Sequence, residues 1–146
     1  MKNYVQENIK LLKSFYDAAS RGDFSPVRNA LDPNVEWIEP NVPGLWFSGT
    51  HRGPDAVWKE VIGPTVDKID KFRVNMKQFF GVGDHIVAIG YFRGWGKATG
   101  KELDAATAHI CTLRNGKIVR FEAFHDSACW LETLGLAQAE PQRMAA

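Results

Sequence analysis

From Val5 onward the apolar residues fall at helical spacing. Val5, Ile9, Leu12, Tyr16 and Ala19 form one stripe, which Leu11 and Phe15 widen. Gly22 is placed to close this helix in a left-handed cap. Ser25-Pro26 reads as the N-cap and first residue of a short second helix, stopped by Asp32-Pro33. The alternation over 35–39 predicts a strand with Trp37 and Glu39 on one face, ended by Pro40. Residues 40–54 hold three Pro and three Gly and read as a loop. Leu45, Trp46 and Phe47 are costly to expose, so that loop should fold over something apolar. Gly53-Pro54 opens a third helix, and Gly63-Pro64 is expected to interrupt it.

Beyond Lys71 the period changes to two. Strands are expected over 72–80, 84–94, 103–113 and 117–126, joined by Gly-rich turns and, at Asn115-Gly116, by a two-residue hairpin turn. Ser127 should cap a last short helix over 128–134, ended by Gly135. Helices followed by a meander of long strands define an α+β fold. A strongly curved antiparallel sheet wrapped around the helices leaves a cone whose mouth needs a lid. The 146 residues make one domain, 1–136, with a polar, alanine-rich tail over 137–146 that should be flexible.

Composition narrows the function. A formal net charge of +1 favours neither nucleic acid nor an anionic membrane surface as partner. No apolar run approaches the ~20 residues of a membrane span, and the first residues lack the apolar core of a secretory signal. Cys111 and Cys129 are then best read as reduced residues of a cytoplasmic protein. Nine Phe, five Trp and three Tyr suit a core that also encloses an apolar cavity, although bulky packing alone would account for them.

Candidate chemistry concentrates at the ends of strands. The segment 117–126 runs through apolar positions and stops on Asp126, which shares a face with Phe124 and Glu122 by the two-residue repeat. Asp126 is then either a satisfied structural carboxylate, capping the last helix, or an acid/base tuned by an apolar cavity. Glu39 faces the same choice, between a surface strand end and a cavity carboxylate. His109 lies between Ala108 and Ile110 on a core strand, as a satisfied core residue or as a donor to a ligand oxygen. Trp37, Trp46, Tyr91 and Phe124 are the expected cavity walls, and Glu122 is a second acid or a partner of Arg120. A Cys111 nucleophile is disfavoured by its apolar neighbours. The four His are too far apart in sequence for a metal motif, so neither metal nor cofactor is expected.

Three segments carry a resemblance. They are Phe15-Tyr16-Asp17-Ala18-Ala19-Ser20-Arg21-Gly22-Asp23, then Val35 through Pro40 with Ser48 through Gly53, and His109 through Leu113 with Asn115 through Asp126. In this order the chain resembles the nuclear-transport-factor-2-like superfamily and, within it, the SnoaL-like polyketide cyclases and ketosteroid isomerase-related proteins. The resemblance implies a cone with an apolar pocket and a homodimer formed through the outer sheet face. Glu39 matches the isomerase's catalytic base, and His109 matches the acid that donates to the substrate oxyanion. Asp126 matches the strand-end Asp of SnoaL-like cyclases and limonene epoxide hydrolase-like enzymes.

Two departures narrow this. Phe15 occupies the position of the isomerase's oxyanion Tyr, and one helical step of ~100° should turn Tyr16 elsewhere. The Arg-x-Asp pair of the epoxide hydrolases would fall near Gly90 and Phe92, against epoxide opening. The expectation is therefore a cofactor-free isomerase, cyclase or dehydratase acting on a small apolar carbonyl or hydroxyl compound. Asp126, Glu39 and His109 would be its catalytic groups, and Phe15, Trp37, Trp46, Tyr91, Glu122 and Phe124 its substrate contacts. The competing expectation is a non-catalytic module that binds such a molecule, with the carboxylates structural.

Overall fold

The computed structural model describes residues 4–136. The tail expected over 137–146 lies outside the described residues. Helix α1 (Val5–Arg21) buries Leu12, Phe15, Tyr16, Ala18 and Ala19, and Gly22 ends it with φ +68°. Helix α2 (Phe24–Ala30) has Asp23 as its N-cap, two residues before the expected Ser25, and leads directly into β1 (Leu31–Glu39), which is longer than expected. The loop after Pro40 contains a short strand, β2 (Gly49–Arg52), paired antiparallel with β1. Four residues give little alternation to read, so the sequence alone did not expose it.

Gly63-Pro64 does not interrupt the next helix. Helix α3 (Pro54–Val57) passes through a π-helical turn (Trp58–Ile62) into α4 (Gly63–Lys68). A wider i→i+5 turn re-registers the backbone ahead of a residue that lacks an N–H, so the helix continues through the Pro. Strands β3 (Ile69–Val82), β4 (His85–Gly96), β5 (Glu102–Arg114) and β6 (Lys117–His125) then form the meander, and α5 (Ser127–Thr133) closes it.

The sheet is curved and open, in the order β2-β1-β6-β5-β4-β3. Its neighbours are antiparallel except β1 and β6, which run parallel. The hairpin turn between β5 and β6 has φ +52° at Asn115 and +70° at Gly116, the two positive values a tight primed turn needs. The core lies between α1 and the concave face. Trp37 and Phe121 stack there with centroids 3.7 Å apart, and Phe15 packs against both.

One irregularity decides which side chains reach the concave face. The β5–β6 register shifts between Thr112 and Leu113, so Ile118 pairs with Leu113 but Arg120 pairs with Thr112. Ile118 and Phe121 are both buried, three residues apart. After this bulge the inward set is Phe121, Ala123 and His125, beside Cys111, His109 and Thr107 of β5. Simple alternation from Ile118 would have selected Glu122, Phe124 and Asp126.

Candidate active site

A cavity opens on the concave face, walled by α1, β1, the loop before β2, the helix after it, the sheet and α5. Phe15, Tyr16, Trp37, Glu39, Phe47, Phe92, His109, His125 and Trp130 contribute to its lining. Its volume is about 50 Å³, measured as room for the centre of a water-sized sphere. One water needs ~10–15 Å³ by that measure, so the cavity takes only a few small groups.

Across it runs a continuous chain of polar side chains. Tyr16 and its helix bring a hydroxyl to His109 Nδ1 at 2.9 Å. His109 Nε2 and His125 Nδ1 both meet Thr107 Oγ1, at 3.0 and 3.1 Å, and that hydroxyl also donates to the Phe124 carbonyl at 3.1 Å. His125 Nε2 lies 2.5 Å from Glu39 Oε2, and Trp37 Nε1 donates to Glu39 Oε1 at 2.8 Å. Glu39, Thr107 and His109 are all buried, and the side chains of His125 and Glu39 are 2% and 5% exposed.

Each of these side chains has a fixed number of protons to donate. One arrangement satisfies all three contacts of Thr107. Its single proton goes to the Phe124 carbonyl, and His109 Nε2–H and His125 Nδ1–H donate to its oxygen. His109 Nδ1 then accepts from Tyr16, and His109 is neutral. Burial first, and the charge of His125 second, hold the His109 imidazole well below its ordinary 6.5. Lone pairs cannot face each other at 2.5 Å, so one proton lies between His125 Nε2 and Glu39. Burial also raises the Tyr16 phenol well above its ordinary value and pushes the Cys111 thiol up to about 12. Cys111 is thus a buried thiol, as its neighbours implied.

The expected site residues divide. Glu39, His109, Phe15 and Trp37 line the cavity. Asp126 does not: its exposed carboxylate caps α5, with Oδ1 accepting from the Cys129 N–H at 3.2 Å. Phe124 is 50% exposed on the outer face, and Glu122 pairs there with Arg120 at 2.8 Å. The bulge near Thr112 is the cause in all three cases. Tyr91 is also on the outer face, under Arg93, because Ala88, Gly90 and Phe92 are the β4 residues that face inward beside β5. Trp46 stands behind the wall: it donates to Thr65 Oγ1 and packs edge-on against Trp130, while its neighbour Phe47 lines the cavity.

Tyr16 corrects a further expectation. The cavity spans more than one helical step of α1, so Phe15, Tyr16 and Ala19 all reach it. His125, Thr107, Phe92 and Trp130 were missed altogether. The Ile118-to-Phe121 spacing of three was the available sign that β6 changes phase and turns His125 inward.

Comparison with known proteins agrees with this architecture. The model of the SnoaL-like domain matches residues 12–121, and the chain belongs to that family. Among curated proteins, none matches the chain. Among solved structures, an NTF2-like protein of unknown function from Burkholderia pseudomallei is 27% identical, with TM-score 0.78 over 87% of this chain and 96% of that one. TerC, crystallised with polyporic acid, is 24% identical, with TM-score 0.78 over 88% and 98%. A protein with a ketosteroid isomerase-like fold from Catenulispora acidiphila, in complex with trimethylamine, is 14% identical, with TM-score 0.76 over 90% and 97%.

The buried neutral His109 makes stability pH-dependent. Below pH 6.5 the unfolded chain takes up a proton at this residue that the folded chain refuses. Its contribution therefore favours folding above 6.5 and falls as pH drops, by at most about 1.4 kcal/mol per pH unit. Urea titrations between pH 7.5 and 5 should show that slope in the wild type, reduced in His109→Gln. Equal slopes in the two proteins would contradict the assignment.

Proposed function

We propose that the chain is a cofactor-independent acid/base enzyme acting on a small carbonyl- or hydroxyl-bearing molecule. The observation that carries this reading is the buried Glu39–His125 contact opening on an apolar cavity. Glu39 is held by side chains, through the Trp37 indole and His125, and its carboxylate retains lone pairs toward the cavity. In this reading Glu39 takes a proton from a carbon next to a carbonyl. The C–H electron pair becomes the new C=C bond of an enolate, and the proton returns to another carbon or to a leaving oxygen. Isomerisation, aldol-type cyclisation and dehydration share that step. His125 balances the Glu39 charge and holds the shared proton. Tyr16, His109 and Thr107 act as positioning residues, fixing the His125 ring through Nδ1. The cavity's size restricts the substrate to a small molecule.

The test requires no known substrate. Exchange of the α-hydrogens of cyclohexanone in D₂O, followed by proton NMR, reports proton abstraction directly. Glu39→Gln should slow the enzyme-dependent exchange ~10²-fold or more with the fold retained, and Asp126→Asn should leave it within twofold. Unchanged exchange in Glu39→Gln would exclude Glu39 as the base. A wild type that binds small ketones without exchanging them would favour the binding module.

We also place the protein in the cytoplasm, on its two free cysteines. We assign a homodimer to the outer sheet face, where Ile89, Tyr91, Trp95 and Phe124 are exposed. Light scattering should give the mass of two chains, and Tyr91→Arg should give the mass of one. A monomeric wild type at micromolar concentration would rule the interface out.

A further inference from the structure

The polar groups on the cavity wall are nearly all committed to one another. Tyr16 O–H goes to His109, both His109 nitrogens are engaged, and His125 is held by Thr107 and Glu39. The Trp37 indole donates to Glu39, the Trp46 indole behind the wall donates to Thr65, and Thr65 donates to the Val61 carbonyl. Trp130 is the exception. It is 2% exposed and lines the cavity, yet its Nε1–H has no hydrogen-bond partner among the described residues. An indole N–H buried without an acceptor costs ~1–3 kcal/mol, and such groups in a native protein need an explanation.

The ring is firmly held. Phe47 and Phe92 pack edge-on against it at centroid distances of 5.1 and 5.6 Å, and α5 is anchored by Thr133 Oγ1 donating to the Glu102 carbonyl. Its centroid lies 6.4 Å from that of His125. Trp130 and His125 therefore stand on the wall of the same small cavity. The residues that line the cavity thus include one uncommitted donor, on Trp130, and the spare acceptor capacity of Glu39.

We propose that Trp130 Nε1–H is the donor that receives the substrate's oxygen, selecting small molecules with a carbonyl or phenolic oxygen about one carbon from the reacting C–H. The substrate class rests on the reading of Glu39 as base. During abstraction the carbonyl oxygen gains the electron density released from the C–H bond, and a fixed indole N–H among aromatic rings stabilises it there. Trp130 so does the work expected of a Tyr at position 15.

The test uses phenol as the oxygen-bearing probe and toluene as its isosteric control. In ¹H–¹⁵N spectra of the wild type, the Trp130 indole N–H resonance should move downfield with phenol and not with toluene. Trp130→Phe should weaken phenol binding about tenfold and leave toluene binding within twofold. Phenol bound with an unmoved Trp130 resonance, equal phenol affinity in Trp130→Phe, or no phenol binding to the wild type would overturn the proposal. Should the variant fail to fold, the wild-type resonance decides alone. The two readings separate cleanly. A moved Trp130 resonance with undiminished ketone exchange in Glu39→Gln keeps the donor and removes the base. Lost exchange with an unmoved resonance does the reverse.

Discussion

The contact between Glu39 and His125 is the constraint around which the site is built. A carboxylate buried against aromatic rings is tolerable only with its charge balanced and its oxygens engaged. The imidazole supplies the balance and the Trp37 indole the second hydrogen bond. The imidazole in turn must be held so that Nε2 faces the carboxylate, and Thr107 does this through Nδ1. Thr107 is itself saturated by His109 and the Phe124 carbonyl, and His109 by Tyr16. Removing one member leaves a buried neighbour unpaired, so the network fixes the relative placement of α1, β1, β5 and β6.

That interdependence explains why the fold and the site differed in legibility. The helical stripe of α1, the change of period after Lys71 and the Asn115-Gly116 turn are local signals, and the structure carries all three. The segments that suggested the family reported the order of elements, which the SnoaL-like match confirms over residues 12–121. Glu39 was legible because Trp37, two residues earlier, shares its face.

The site itself turned on strand phase. A single bulge beside Thr112 moves Phe121, Ala123 and His125 to the concave face and sends Glu122, Phe124 and Asp126 outward. The shared face of Glu122, Phe124 and Asp126 is therefore the outer one, and Asp126 is a helix cap. The residue immediately before it, His125, is the one that lines the cavity and meets Glu39. The Tyr16 contact escaped for a related reason: a concave sheet wraps more of α1 than one helical step. Trp130 was beyond sequence reasoning, since nothing local marks an indole that lacks an acceptor.

Nitrogen-15 shifts of the histidine rings at neutral pH report the protons of this network one by one. His125 should show Nδ1 protonated and a second proton shared between Nε2 and Glu39, that second proton being lost in Glu39→Gln. His109 should be neutral, with its proton on Nε2. A His125 with bare Nδ1, or one whose signals ignore Glu39→Gln, would contradict this arrangement.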